Sequence, residues 1–554
     1  MPKVLQTMLR ESSNLQNIYD YLVAKVGRGE KTATVEQLKN LLYEMGYDEE
    51  NIAKDLSRFK TNIGSLGTWI NSVKSQPLQV DYVLIQSKNE ALPKATSNFF
   101  QSMWYEIKLF FSSFSTDYNS FGVSETAGET KTVEVWLESG RDQALIIRNL
   151  IDNEFTPESN IAANLKLVSA GTLLPSVLAG VGPDVSLFAG STTIIDYALR
   201  HAVVPLNEFI EKDAGILSQF PEAAMIPLTL YEYDVDTDTT TSTYYALPDS
   251  LTFPMMFYRK DILASLGLEV PKTWDDLLAM IPVLQYNNME LGIANDIYTF
   301  IYQSGNEAYA DHGMRINFDS TGVLNAFTKL CNMYTQYSLP YTYDFANRFR
   351  TGEMPIGISA YTSCNQLSVF ASELSGLWTF VPLPGYELTD DEGNTYINNC
   401  AIAGVTGCIM LNGCEDKASA WEFMKWYTAK DFQVAYANEI VSIVGIASRP
   451  ATANSEALAD LPWTSEEATN ILAQFDNLTA VPNYPGSYYL ARYVNFAFLA
   501  AYNDGKDPAD ALLGYVNTIN KEITRKRKEF GMDYLEIGET LDQLKAKKAL
   551  QEMN

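Results

Sequence analysis

The chain has 554 residues, room for two to four domains, and its 46% hydrophobic and 19% charged content describes a folded globular chain and not a disordered one. A formal net charge of −28 sets it against the phosphates of nucleic acids and against anionic lipid surfaces, and disfavours both as partners. Aromatics make up 12% of the residues, which fills a large core and also suits a cleft that stacks rings on sugar faces.

Residues 1–125 read as a separate helical unit. Over 13–25, Leu15, Ile18, Tyr19, Leu22 and Val23 recur near helical spacing, and over 34–45 Val35, Leu38, Leu41, Leu42 and Met45 share one face. Thr34 and Gln37 fit a capping box for the second helix, and Gly46 a stop. Stretches 48–59 and 63–73 continue the pattern into a small bundle. A further amphipathic helix is expected over 97–114, where Gln101, Glu106 and Lys108 interrupt the apolar run. Residues 115–129, rich in Ser, Thr and Gly, read as a linker.

From Lys131 the pattern changes. Strands over 132–137, within 161–168 and over 184–188 alternate with helices over 142–155 and 172–179, the order of a parallel sheet with crossover helices. Residues 231–248 read as two strands around a polar tip that carries Glu232, Asp234, Asp236 and Asp238. The glycine and distal glutamate of a calcium loop are missing there, so a solvated hairpin is expected. Helices are expected over 275–285, 320–337, 415–427, 465–475, 487–502 and 507–530. Strands are expected over 355–359, 378–382 and 402–411, with a polar turn at 390–394 and a charged tail, helical or frayed, over 532–554.

Catalytic patterns are missing. His201 and His312 are the two histidines, neither in a nucleophile setting, and no G-x-S-x-G, P-loop, dinucleotide glycine set or H-E-x-x-H occurs. A carboxylate pair for glycoside hydrolysis stays open among 68 acidic residues, with no motif to single out two of them. The five cysteines, Cys331, Cys364, Cys400, Cys408 and Cys414, lack paired spacing, so buried free thiols are expected, with one or two bridges as the alternative. No apolar run is long enough to span a bilayer, and residues 1–10 lack the apolar core of an export signal. An exported protein with this sequence is therefore expected to carry its signal upstream, where a further domain also fits.

Residues 246–277 read ALPDSLTFPMMFYRKDILASLGLEVPKTWDDL and join a Pro-bearing strand entry, an apolar run and two helix starts. This stretch resembles the hinge-crossing segment of extracellular solute-binding proteins of the maltodextrin-binding type. Six other pieces resemble that family in the same order along residues 131–530: VWLESGRD, GVGPDVSLFAG, VVPLNEFI, RTGEMPIGISAY, ASAWEFMKWYT and VPNYPGSYYLARY. The resemblance implies an α/β fold with a two-lobed, hinged periplasmic-binding-protein-like core, extended here by an N-terminal all-helical domain. It divides the chain into a helical accessory unit and linker at 1–125, a first lobe at 131–245 with a returning segment at 398–440, a second lobe at 246–397 with a returning segment at 445–530, and the tail at 531–554.

The implied function is the solute-binding component of an ABC import system. It captures an oligosaccharide by hinge closure and delivers it to permease subunits, with no reaction, cofactor or metal. The implied location is extracellular or at the cell surface, with a lipoprotein-type membrane tether through an upstream segment. The resemblance places Ser139, Gly140 and Arg141 on the first cleft loop and Phe188, Gly190 and Ser191 after the third strand. It places Asp249, Ser250 and Thr252 at the hinge, with Thr252 where the family often has an acid. Tyr298, Gln303, Tyr361, Thr362 and Ser363 fall to the second lobe, and Tyr484, Tyr488 and Arg492 to the last cleft segment. For Phe188, Tyr298 and Gln303 core packing is an equal or better reading. A peptide or sugar-acid ligand is the alternative that Arg141 and Arg492 favour if both face the cleft. An extracellular glycosidase and a purely structural surface protein follow.

Overall fold

The computed structural model describes residues 3–74, 99–112, 120–123, 131–294, 296–390 and 392–552. The strands Lys131–Leu137, Ile161–Leu167 and Val185–Gly190 pair in parallel, with Val135 opposite both Leu165 and Val185. Val133, Val135, Leu137, Ala163, Leu165, Val185 and Leu187 are buried, the near-continuous apolar pattern of strands covered on both faces. The sheet is mixed and not wholly parallel as its first three strands imply. Gly404–Met410 returns antiparallel between Val185–Gly190 and Leu247–Thr252. The expected linker over 115–129 lies outside the described residues except for Ser120–Val123, which is a strand antiparallel to Ile161–Leu167 at the sheet's edge.

A second sheet is built around Pro254–Arg259, which runs antiparallel to both Ile356–Ala360 and Trp378–Val381, while Leu291–Gly292 pairs in parallel with Ile356–Ala360. Phe253 alone separates the last residue of the first sheet's strand Leu247–Thr252 from the first residue of the second sheet. Pro254 suits that junction, because a strand's first residue can lack the N–H that a ladder needs. The crossing thus falls at Phe253, a few residues beyond the expected boundary at 246. The chain recrosses near 400–404, where Ala401–Ile402 pairs in parallel with Leu478–Thr479 before Gly404–Met410 rejoins the first sheet. The result is a two-lobed α/β core.

Among the described residues the N-terminal unit has three helices, Lys3–Val26, Glu30–Tyr47 and Glu50–Lys74, around Leu41, Leu42 and Met45, and the helix expected over 97–114 is described as Phe99–Ser112. The third replaces two expected shorter helices. The second starts earlier than Thr34: its cap is Gly29, whose N–H donates to Thr32 Oγ1 at 2.8 Å. The third helix docks on the second lobe. Gly64 carbonyl accepts from Asn347 Nδ2 at 3.2 Å, and Lys60 meets Glu353 at 2.9 Å. Gly67 lets the two elements approach this closely, since a Cβ there would lie 1.8 Å from Asn347 Oδ1. The tail is ordered: Leu541–Glu552 is a helix, and Leu535 and Leu544 pack with Tyr233, Val235 and Met314.

Candidate functional site between the lobes

The parallel strands of the first lobe bring two loops to one edge. Beyond Lys131–Leu137, Gly140 starts the helix Arg141–Leu150, and its N–H donates to Gln143 Oε1 at 3.0 Å. Beyond Val185–Gly190, Gly190 itself starts the helix Ser191–Ala198. Ser139 and Ser191 are half-buried, and Gly140, Arg141 and Gly190 are exposed. Two helix N-termini therefore open at the carboxyl ends of neighbouring strands, where backbone N–H groups meet an approaching acceptor. This edge can hold hydroxyl or carboxylate oxygens.

Behind it lies Asp249, 2% exposed. One carboxylate oxygen accepts from Thr406 Oγ1 at 2.6 Å and the other from the Phe188 N–H at 2.8 Å. Burial raises its pKa from 3.8 to about 6, against those hydrogen bonds, which lower it. The tie spans the irregular register of Gly404–Met410 and holds Phe188 at φ 56°, a conformation rare outside glycine. Asp249 is thus a buried support of the loop and not an open cleft acid. The Phe188 ring is half-buried, edge-on to Tyr427 at 6.3 Å. Ser250 and Thr252 are half-buried, and Thr252 Oγ1 reaches the Gly404 carbonyl at 3.4 Å across two crossing strands.

In the second lobe, Thr362 and Ser363 are half-buried beside the crossing, with Ser363 Oγ 2.7 Å from Ser359 Oγ. Tyr361 is fully buried and is a hinge residue: its N–H donates to Phe253 carbonyl at 3.0 Å and its hydroxyl to Leu251 carbonyl at 3.1 Å. Gln303 is also fully buried. Its amide accepts from Trp274 Nε1 at 2.6 Å and donates to the Cys400 carbonyl at 2.9 Å, so both ends are used inside the lobe. Tyr298 is half-buried on the helix Ile297–Gln303, which Asp296 caps. Burial pushes both the Asp296 carboxyl and the Tyr298 phenol up.

The last segment is the least like the expectation. The Tyr484 ring packs against Tyr309 at 4.8 Å and lies over Gly313, where a Cβ would come within 2.3 Å of it. Tyr488 is 42% exposed and hydrogen-bonds Glu522. It borders a cavity of about 240 Å³ with Asp196, Leu199 and Arg200, at the end of Ser191–Ala198 away from the cleft edge. Arg492 is exposed on the helix Tyr488–Asp504. The structure thus gathers Ser139, Gly140, Arg141, Gly190 and Ser191 at one edge, and Ser250, Thr252, Thr362 and Ser363 about the crossing. It takes Asp249, Gln303 and Tyr361 into the interior and Tyr488 to the far side.

Trp463 was not singled out from the sequence; in the structure it directly precedes Thr464, which caps the helix Ser465–Phe475. Its half-buried ring lies 5.8 Å from Tyr361, over the Arg449 guanidinium at 3.8 Å, with its N–H on the Leu458 carbonyl at 3.1 Å. All five cysteines are free and buried, and burial raises the Cys400 thiol to about 11 and Cys414 to about 12. Among the described residues no group of His, Cys, Asp or Glu is placed to hold a metal ion, and no helix is long and apolar enough to cross a membrane.

Two α/β lobes joined at a narrow crossing, with open helix N-termini at the junction, define a hinged ligand-binding protein. The chain belongs to the bacterial extracellular solute-binding protein family, whose model matches residues 140–434. Its fold is similar to that of the sugar-binding protein MalE from Xanthomonas citri, at 18% identity and TM-score 0.60, covering 73% of this chain and 100% of that one. It is similar to the maltose-binding protein MalE from Listeria monocytogenes, crystallised with maltose, at 16% identity and TM-score 0.53, covering 72% and 99%. An ABC transporter solute-binding protein from Thermotoga lettingae, bound with tagatose, matches at 17% identity and TM-score 0.54, covering 71% and 100%.

Proposed function

We propose that this chain captures an oligosaccharide between its lobes by hinge closure and delivers it, unaltered, to the permease subunits of an ABC importer. The observation that carries the reading is the pair of helix N-termini at Gly140 and Gly190, opening side by side next to a crossing only one residue long. Such an edge offers directed donors to hydroxyl oxygens, and closure removes water and strengthens each bond. The relatives with solved structures named above are, by their descriptions, sugar binders, which supports a carbohydrate as the ligand class.

The test is a thermal-shift screen with maltotetraose, tagatose, a sugar acid and a short peptide, with chromatography of each mixture afterwards. A ligand at roughly 100 times its dissociation constant adds about 2.7 kcal/mol of stability. A shift with one neutral glycan and no cleaved product supports the reading. No shift with any sugar overturns the ligand class, and a cleaved product overturns the transport role. Arg141, exposed in the first turn of Arg141–Leu150, favours a sugar acid as the second reading, which the same screen separates.

A further inference from the structure

We propose that the C-terminal tail is a clamp behind the hinge that holds the two lobes in the open arrangement and opposes cleft closure. The tail is attached to the second lobe's last helix, Pro508–Glu529. Thr524 Oγ1 donates to the Leu535 carbonyl at 2.8 Å, and Lys528 pairs with Glu536 at 2.6 Å. From there it reaches the hairpin formed by Thr229–Asp234 and Thr239–Tyr244. That hairpin belongs to the first lobe: Asn207 Nδ2 donates to the Ser242 carbonyl at 2.9 Å, and Leu230 packs with Ile195 and Leu199.

The grip on the hairpin is specific. Lys545 pairs with Asp238 at 2.8 Å, and Lys548 bridges Asp236 at 2.8 Å and Asp533 at 2.6 Å. Asp533 also accepts from the Val235 N–H at 2.9 Å. Leu535 and Leu544 close an apolar cluster with hairpin residues Tyr233 and Val235 and second-lobe residue Met314, and Tyr233 stacks on His312 at 3.9 Å. One short segment therefore touches both lobes at once.

Its side of the molecule follows from the helix Ser191–Ala198. That helix starts at the cleft edge and runs eight residues, about 12 Å at 1.5 Å each, away from it. Leu199, just past its far end, packs with Ile195 and Leu230, and Phe530 and Met532 of the tail's root pack on that cluster. The tail thus meets the first lobe on the side remote from the ligand. A hinge that brings the lobes together in front moves them apart behind. Closure must stretch or break the clamp, so the energy of ligand contact is partly offset by it, and releasing it favours the closed arrangement even without ligand. This rests on the hinged-capture reading.

The test reads lobe separation directly and without ligand. Asp142→Cys and Gln366→Cys place one spin label on each lobe, and both positions are exposed while the native cysteines are buried. Lys545→Glu with Lys548→Glu, in the full chain, turns the pairs with Asp236, Asp238 and Asp533 into repulsions. The distance distribution is expected to move to shorter separations. Adding Asp236→Lys, Asp238→Lys and Asp533→Asn, whose amide can donate to the new glutamate and still accept from the Val235 N–H, is expected to restore it. An unchanged distribution in the two-lysine variant overturns the clamp, and so does a shift that the swapped pairs fail to restore. Because no ligand is used, a failed sugar screen would leave these results to stand or fall on their own.

Discussion

Replacing Asp249 by Asn should flatten the acid side of the stability curve. The carboxyl is buried and titrates near 6 in place of 3.8, so the folded state holds its proton over a range in which the unfolded chain has released it. Stability from this group is therefore fully present below pH 4 and is lost as pH rises through 6. The loss amounts to about 3 kcal/mol for the shift at 1.36 kcal/mol per pKa unit. Asparagine is nearly isosteric and has no charge to desolvate, and its amide oxygen can still accept from one of the two donors. The assay is urea denaturation of both proteins from pH 3.5 to 8. The wild-type advantage over the variant should shrink by about 3 kcal/mol across that range. Burial also raises Asp196, Asp296 and Glu154, which tilt both curves alike and cancel in the difference. Parallel curves would refute the assignment of a buried, protonatable support to this residue.

Gly67→Leu should lift the helix Glu50–Lys74 off the second lobe, because even a Cβ would lie 1.8 Å from Asn347 Oδ1. Hydrogen exchange in that helix should rise while the melting of the two-lobed core stays in place; unchanged exchange would show that the interface adjusts. Gln303→Leu strands the Trp274 indole N–H and the Cys400 carbonyl in the interior. At about 1–3 kcal/mol for an unpaired buried group, calorimetry should show a clear loss of stability. Ligand affinity of the folded variant should be unchanged, and the reverse pattern would return Gln303 to the cleft.

Much of the fold was legible because its elements carry local signals. The strand Lys131–Leu137, the hairpin around Asp236 and the helices Trp274–Tyr286 and Ser465–Phe475 follow from apolar periodicity and capping residues. The antiparallel return of Gly404–Met410 was not legible, since a strand's direction in its sheet is set by distant crossings and leaves no local mark. The strand Ser120–Val123 hid for the opposite reason: it is four residues, Ser-Phe-Gly-Val, inside a stretch whose Ser, Thr and Gly content reads as a linker, and its pairing with Ile161–Leu167 leaves no local signal. At the site, the family resemblance placed the loops at Gly140 and Gly190, and both glycines start helices in the structure. Side-chain direction was not. Tyr361 and Tyr298 sit in similar sequence settings, and only packing distinguishes the buried hinge ring from the half-buried one.

The interior place of Tyr361 has a physical cause at the crossing. Where a strand leaves one sheet for another, the backbone groups at the junction lose their ladder partners, and buried ones need others. Tyrosine supplies both an apolar body and a hydrogen-bonding tip. The Tyr361 ring lies 4.6 Å from Phe253, its N–H takes the Phe253 carbonyl and its hydroxyl takes the Leu251 carbonyl. Trp463 packs on the Tyr361 ring, and Arg449 lies over Trp463. A hinge braced this way can rotate about Phe253 without exposing unpaired backbone, because the partners of Leu251 and Phe253, the Tyr361 hydroxyl and the Tyr361 N–H, travel on one residue. The aromatic residue that family resemblance assigns to ligand contact serves here to keep the crossing narrow and dry. Recognition is then left to the polar loops at Gly140 and Gly190 and to the half-buried Thr252, Thr362 and Ser363 around the junction.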